Sequence, residues 1–165
     1  MPKMSEQFTL YLETTIPSFL TARPSSNLVV AGKQETTRQW WERRRNCYRL
    51  FISQYVLDEI SGGDSEAAKR RLDAVQATDL LEVDDETLRL AARLMRTGLI
   101  PAKAATDAAH IAVAARHRMD FLLTWNCTHI ANAELLRALS AAAAEAGHVL
   151  PVICTPDELF GGDEE

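Results

Sequence analysis

The feature that most restricts this chain is an alternation that runs almost its whole length: short apolar runs of strand-forming residues, each followed by a stretch carrying helix caps. Phe8–Leu12, Tyr48–Ile52, Leu80–Val83, Phe121–Thr124 and Val152–Cys154 read as strands. Between the first two, Thr14 and Thr15 are placed to cap a helix with Pro17 in its first turn. Pro24–Asn27 then breaks that helix and caps a second, which runs through Trp40 and Trp41. Ser53 caps a helix over Tyr55–Ile60 that Gly62 and Gly63 stop, and Asp64 starts another to about Ala77. Asp84, Asp85 and Glu86 open a helix ending near Gly98, Pro101 opens one through His117, and a last one runs from about Asn132 to Ala146. Strands separated by helices pair in parallel and are covered on both faces. The expected fold is α/β, a three-layer α/β/α arrangement around a central parallel sheet of four to five short strands. With 165 residues, 47% of them apolar, one domain over 1–165 suffices, its core at about 8–155 and an acidic tail at 157–165.

Such a sheet has one edge where strands end and helices begin, and ligands bind there. Glu13 directly follows the first strand. Asp58 and Glu59 lie in the second turn of the helix after the second strand, Asp107 in the second turn of the helix from Pro101. Thr124 and Asn126 come at the end of the Phe121–Thr124 strand. Four separated segments thus bring oxygen ligands to one edge. Carboxylates crowded together repel unless protons or a cation sit between them, and hard divalent cations take such oxygen donors. Acids early in helices also serve the helix dipole, each contributing about 0.3–1 kcal/mol.

Charge narrows the function classes further. A net charge of −5 argues against a protein that coats nucleic acid by bulk electrostatics. The bases are nonetheless clustered, in Arg38, Arg43, Arg44, Arg45 and Arg49 and again in Lys69, Arg70 and Arg71. Trp40 beside Arg43–Arg45 suggests a surface for stacking bases and meeting phosphates, while Trp41 is expected to pack into the core or an interface. The same basic run also fits a solvated helix face. His110, one turn from Asp107, either packs in the core or faces the same edge. Cys47, Cys127 and Cys154 form no C-x-x-C spacing and read as idle thiols of a reducing cytoplasm. No run is long and apolar enough for a membrane span, the start lacks a secretory pattern, and no G-x-G-x-x-G or G-K-[ST] motif occurs.

Four segments carry a resemblance: Leu12–Thr15 (LETT), Ser53–Ile60 (SQYVLDEI), Thr106–Ala112 (TDAAHIA) and Leu122–Asn126 (LLTWN). In this order they resemble the signature blocks of PIN-domain nucleases, and within that family the chain is most similar to VapC-like toxins of bacterial toxin–antitoxin pairs. The resemblance implies a cytoplasmic, Mg²⁺- or Mn²⁺-dependent endoribonuclease. It implies a metal held by Glu13, Glu59 and Asp107, with Asn126 and Thr124 in support, an RNA substrate, a homodimer and a small antitoxin. The sequence departs from the family pattern twice. Glu13 stands where Asp is usual, longer by one methylene, and Asn126 offers a neutral carbonyl where a carboxylate is expected. Asn126 keeps a second reading open, a PIN-fold binding protein with little or no catalysis. A third is an RNA-processing nuclease without an antitoxin, and a fourth a phosphatase or other small-molecule hydrolase on a similar sheet.

Overall fold

The computed structural model describes residues 6–162; Met1–Ser5 and the end of the expected acidic tail, 163–165, lie outside the described residues. The described residues form five strands: β1 (Phe8–Leu12), β2 (Tyr48–Ser53), β3 (Asp79–Leu81), β4 (Phe121–Leu123) and β5 (Val152–Cys154). They form one sheet in the order β3-β2-β1-β4-β5, and every neighbouring pair is parallel. β1 is therefore the centre. Leu10, Tyr11 and Leu12 are fully buried there, as a strand covered on both faces must be. At its start Asp120 takes hydrogen bonds from the amide and hydroxyl of Thr9 at 2.8 and 3.1 Å, which sets the register with β4.

Seven helices connect the strands: α1 (Thr15–Thr21), α2 (Leu28–Arg44), α3 (Gln54–Ile60), α4 (Ser65–Val75), α5 (Asp85–Met95), α6 (Ala105–Arg116) and α7 (Ala133–Glu145). The first two crossovers step from β1 outward to β3, and the next jumps back over β1 to β4 and β5. With right-handed crossovers, that reversal puts the early helices on one face and α5, α6 and α7 on the other. The packing agrees: α1 meets α2 and α4, whereas α5 meets α6 and α7. α6 is buried from Ala108 to Ala115, because it lies between the sheet and α5, and its alanines allow that close approach.

Two expected elements come out differently. β3 stops at Leu81 rather than Val83, since the Glu82 carbonyl accepts a hydrogen bond from the His117 ring at 2.7 Å instead of continuing the ladder. The helix expected from Pro101 begins as a separate 3-10 turn, Ala102–Ala104, and α6 starts at Ala105. Asp107 consequently lies in the first helical turn, not the second.

The two neighbouring tryptophans exchange roles. Trp40 is fully buried, its indole N–H donates to the Leu159 carbonyl at 3.1 Å, and its ring stacks on Tyr48. No face of it is open to a nucleobase, so the expectation of Trp40 as a substrate contact is corrected. Trp41 is the half-exposed one, with the Arg45 guanidinium 5.4 Å from its ring centroid. The helix turns Gln34, Thr37 and Trp40 inward, a face that mixes polar and apolar residues and so carries no hydrophobic stripe in the sequence. The basic cluster is also displaced. α2 ends at Arg44, a 3-10 turn follows over Arg45–Cys47, and β2 begins at Tyr48. Arg43, Arg44 and Arg45 hence sit where strands start, and Glu13 sits where they finish. A five-residue strand separates those edges by about 17 Å.

Candidate metal centre

Glu13 leaves the end of β1 at the point where the strand order reverses, the crevice that ligands use in open parallel sheets. Its carboxylate is buried, with 3% of the residue exposed. Oε1 accepts three hydrogen bonds: from the Thr15 amide at 3.1 Å, the Thr15 hydroxyl at 2.5 Å and the Thr124 hydroxyl at 2.7 Å. The threonines expected to cap α1 therefore do something else. No side-chain cap hydrogen bond forms at Thr14, and Glu13 itself answers an orphan amide of the helix's first turn. The Thr15 hydroxyl also accepts the Trp125 amide at 2.8 Å, and the Thr124 hydroxyl accepts the Asn126 amide at 2.9 Å. The ends of β1 and β4 are laced together around one carboxylate.

Glu59, from α3, closes the other side. Its Oε1 accepts from the Thr14 hydroxyl at 2.7 Å and from His110 Nε2 at 2.5 Å. Burial pushes its carboxyl up, but the His110 and Thr14 hydrogen bonds and the nearby ring together outweigh that and hold it below the ordinary carboxylate range. Asp58, its neighbour, turns outward and accepts from Gln54. His110 is fully buried on α6. Glu13, Glu59 and His110 each offer a ligand atom, all within 4.8 Å of one another, and among the described residues they are the group of three metal-ligating side chains so placed. The two carboxylates fit a divalent cation in kind and in spacing.

Asp107 is not brought into that group. From the first turn of α6 its Oδ2 pairs with His129 Nδ1 at 2.9 Å. Asn126 also has a local task. Its side-chain carbonyl accepts the amides of Thr128 and His129 at 3.2 and 3.0 Å and shapes the turn that carries His129. The sequence leaves His110 open between the core and the site and gives His129 a weaker case. The available signal was spacing: His110 follows Asp107 by three helical positions, and His129 follows Asn126 by three in a turn.

Trp125 walls the edge beside Glu13. It is buried, donates through its indole to the Thr37 hydroxyl at 2.7 Å, and has the Lys33 ammonium 5.4 Å from its ring centroid. Lys33 is thus a base close to this edge, and the Arg43–Arg45 run is not.

A family model described as PIN domain matches residues 29–126, a span that takes in Glu59, Asp107 and Asn126 and begins after Glu13. No curated protein sequence matches the chain. Two solved structures share the fold. One is described as VapBC2 from Rickettsia felis bound to a DNA fragment from their promoter, at TM-score 0.58 and 13% identity, covering 90% of this chain and 98% of that one. The other is FitAcB from Neisseria gonorrhoeae, at TM-score 0.56 and 14% identity, covering 92% and 100%.

Proposed function

The chain belongs to the PIN-domain family, and on that premise we propose that it is a metal-dependent endoribonuclease acting as a VapC-like toxin. The observation that carries the proposal is the meeting of Glu13 and Glu59 with His110, ligand atoms within 4.8 Å, at the crevice between β1 and β4. Glu13, Glu59 and Asp107 would hold a Mg²⁺ or Mn²⁺ ion, which would supply an acidified water and neutralise phosphate charge. Thr15 and Thr124 hold the Glu13 carboxylate in place, and Asn126 shapes the turn that sets His129 against Asp107. Lys33, beside Trp125, is placed to meet a backbone phosphate. Hydrolysis adds water across one P–O bond of RNA, leaving a phosphate on one fragment and a hydroxyl on the other.

The likeness to VapBC2 supports a small antitoxin as partner, and a homodimer is the expected state of such a toxin. No helix among the described residues is long and apolar enough to cross a membrane, which agrees with a cytoplasmic site of action. Cleavage of a structured RNA by the purified chain, with Mn²⁺ or Mg²⁺ against EDTA, tests the reading. The parent cuts only with metal, and Asp107→Asn abolishes cutting with melting nearly unchanged. Cleavage that persists in EDTA, or equal cleavage by the variant, removes the assignment.

A second reading has two observations in its favour. Glu59 is already held charged by protein hydrogen bonds, and the Asn126 carbonyl is committed to backbone amides. A PIN-fold binding protein with weak metal affinity fits those facts. RNA binding without detectable Mn²⁺ affinity in calorimetry would select it.

A further inference from the structure

Behind the centre lies a row of buried polar side chains that no catalytic role above uses. Ser53 Oγ is 2.8 Å from the Tyr11 hydroxyl, that hydroxyl is 2.6 Å from His110 Nδ1, and His110 Nε2 is 2.5 Å from Glu59 Oε1. Ser53, Tyr11 and His110 are all fully buried. They come from the end of β2, the last part of β1 and the second turn of α6. Buried polar groups persist in a core only where each finds a partner, and here the row ends on a carboxylate.

Counting hydrogens fixes the direction at the last link. Serine and tyrosine each bring one O–H, and neutral imidazole one N–H. If that N–H were at Nδ1, a lone pair on Nε2 would face the Glu59 carboxylate at 2.5 Å, which is repulsive. With the hydrogen on Nε2, Ser53 donates to Tyr11, Tyr11 donates to Nδ1, and Nε2 donates to Glu59. A cationic ring reverses the first two links and leaves the third unchanged. In either case Nε2 is a donor, so the nitrogen that the spacing alone offers to a cation is already occupied.

The acids show a common pattern. Glu13 Oε1 takes three protein donors and Glu59 Oε1 takes two, while among the described residues no protein donor is recorded on Oε2 of either. We propose that the Ser53–Tyr11–His110 row is a positioning device that fixes the Glu59 carboxylate so that Oε2 of Glu59 and Oε2 of Glu13 face the cation, with His110 outside the ligand set. This rests on the reading that Glu59 serves a divalent ion and goes beyond it by assigning the atoms. Imidazole and hydroxyl groups that orient a ligand alter metal affinity by about 10–100-fold when removed.

The test uses the whole chain with Mn²⁺ as the probe, comparing the parent with Tyr11→Phe, His110→Leu and His110→Gln. The glutamine amide can place an N–H near the position of Nε2. Affinity is read by calorimetry, the ligand set by nitrogen hyperfine coupling in the Mn²⁺ electron spin-echo spectrum, and folding by melting in metal-free buffer. His110→Leu should weaken Mn²⁺ binding by about 10-fold or more, His110→Gln should restore most of it, and Tyr11→Phe should fall between. The parent spectrum should carry no directly bonded nitrogen. Two results overturn the assignment: a directly coupled nitrogen in the parent, or variants that shift melting while binding Mn²⁺ as the parent does. RNA cleavage is followed in parallel. A parent that shows this affinity pattern yet cuts no RNA refutes the nuclease and leaves the positioning row standing.

Discussion

Replacing Thr124 by valine tests whether the buried carboxylate is held as described. Valine keeps the shape and removes one hydroxyl from a fully buried residue. Two hydrogen bonds go with it: the donor to Glu13 Oε1 at 2.7 Å and the acceptor for the Asn126 amide at 2.9 Å. The first, to a charged group, contributes about 1.5–3 kcal/mol, and leaving a half-buried amide unanswered costs at most about 1–3 kcal/mol. Glu13 keeps both donors from Thr15, which limits the damage, and the expected total is about 2–4 kcal/mol. For a domain of this size each kcal/mol lowers Tm by about 2–4 °C, so a fall of roughly 5–15 °C should follow. Thr124→Ser is the partner experiment, since it keeps the hydroxyl and loses one methyl, about 0.8 kcal/mol. Urea unfolding in EDTA, read by tryptophan fluorescence, gives both values without any metal. A valine variant as stable as the serine variant would refute the claim that Thr124 holds Glu13 through its hydroxyl.

Other consequences are quicker to check. Charge reversal at Arg43 and Arg45 should leave metal-dependent RNA cleavage within about two-fold, because these residues lie at the far edge, about 17 Å from Glu13; a large loss would put substrate there. Trp40→Ala should cost about 3–5 kcal/mol in urea unfolding as a core truncation, and a change below 1 kcal/mol would contradict its burial. Cys154 is buried and its thiol is pushed up to about 12, chiefly by burial, whereas Cys47 and Cys127 are exposed. A thiol reagent at mild alkaline pH should accordingly modify those two quickly and Cys154 only on unfolding. Asp84 is held well below the carboxylate range by the Thr87 amide, then by Arg116 and the Thr87 hydroxyl. A depressed acid contributes stability above its unfolded pKa of about 3.9 that is lost as pH falls toward the folded value. The stability gap between the parent and Asp84→Asn should hence be full at pH 7 and narrow below about pH 4; a gap constant with pH would show that the charge is not what stabilises.

The sheet was legible because its strands carry two signals at once, apolar continuity and a following cap. β1 spans Phe8–Leu12 as expected, and β5 spans Val152–Cys154. Glu13 and Glu59 were placed at one edge by the same logic, since a residue just past a parallel strand has little choice of edge. What the sequence hid was side-chain allegiance. Thr14, Thr15 and Ser53 have the right type for caps, yet their hydroxyls go to Glu59, Glu13 and Tyr11. A carboxylate competes more strongly for a hydroxyl than a helix amide does, which accounts for the two threonines. The rotation of α2 was equally hidden, because its inward face carries Gln34 and Thr37, whose polar atoms are satisfied by Ser25, Arg23 and Trp125. The displacement of the arginines was readable in principle: a helix that leads into a strand must end where that strand starts.

The Trp40–Leu159 link joins residues 119 positions apart. Any fragment of this domain that ends before Leu159 leaves the largest buried side chain of α2 with an unanswered N–H and an open flank. During synthesis the helix must wait for a residue made 119 positions later before its indole is locked. A nascent or truncated product would thus expose Trp40 to proteases that the finished domain resists. Deletions that reach Leu159 should be chosen with the indole in mind.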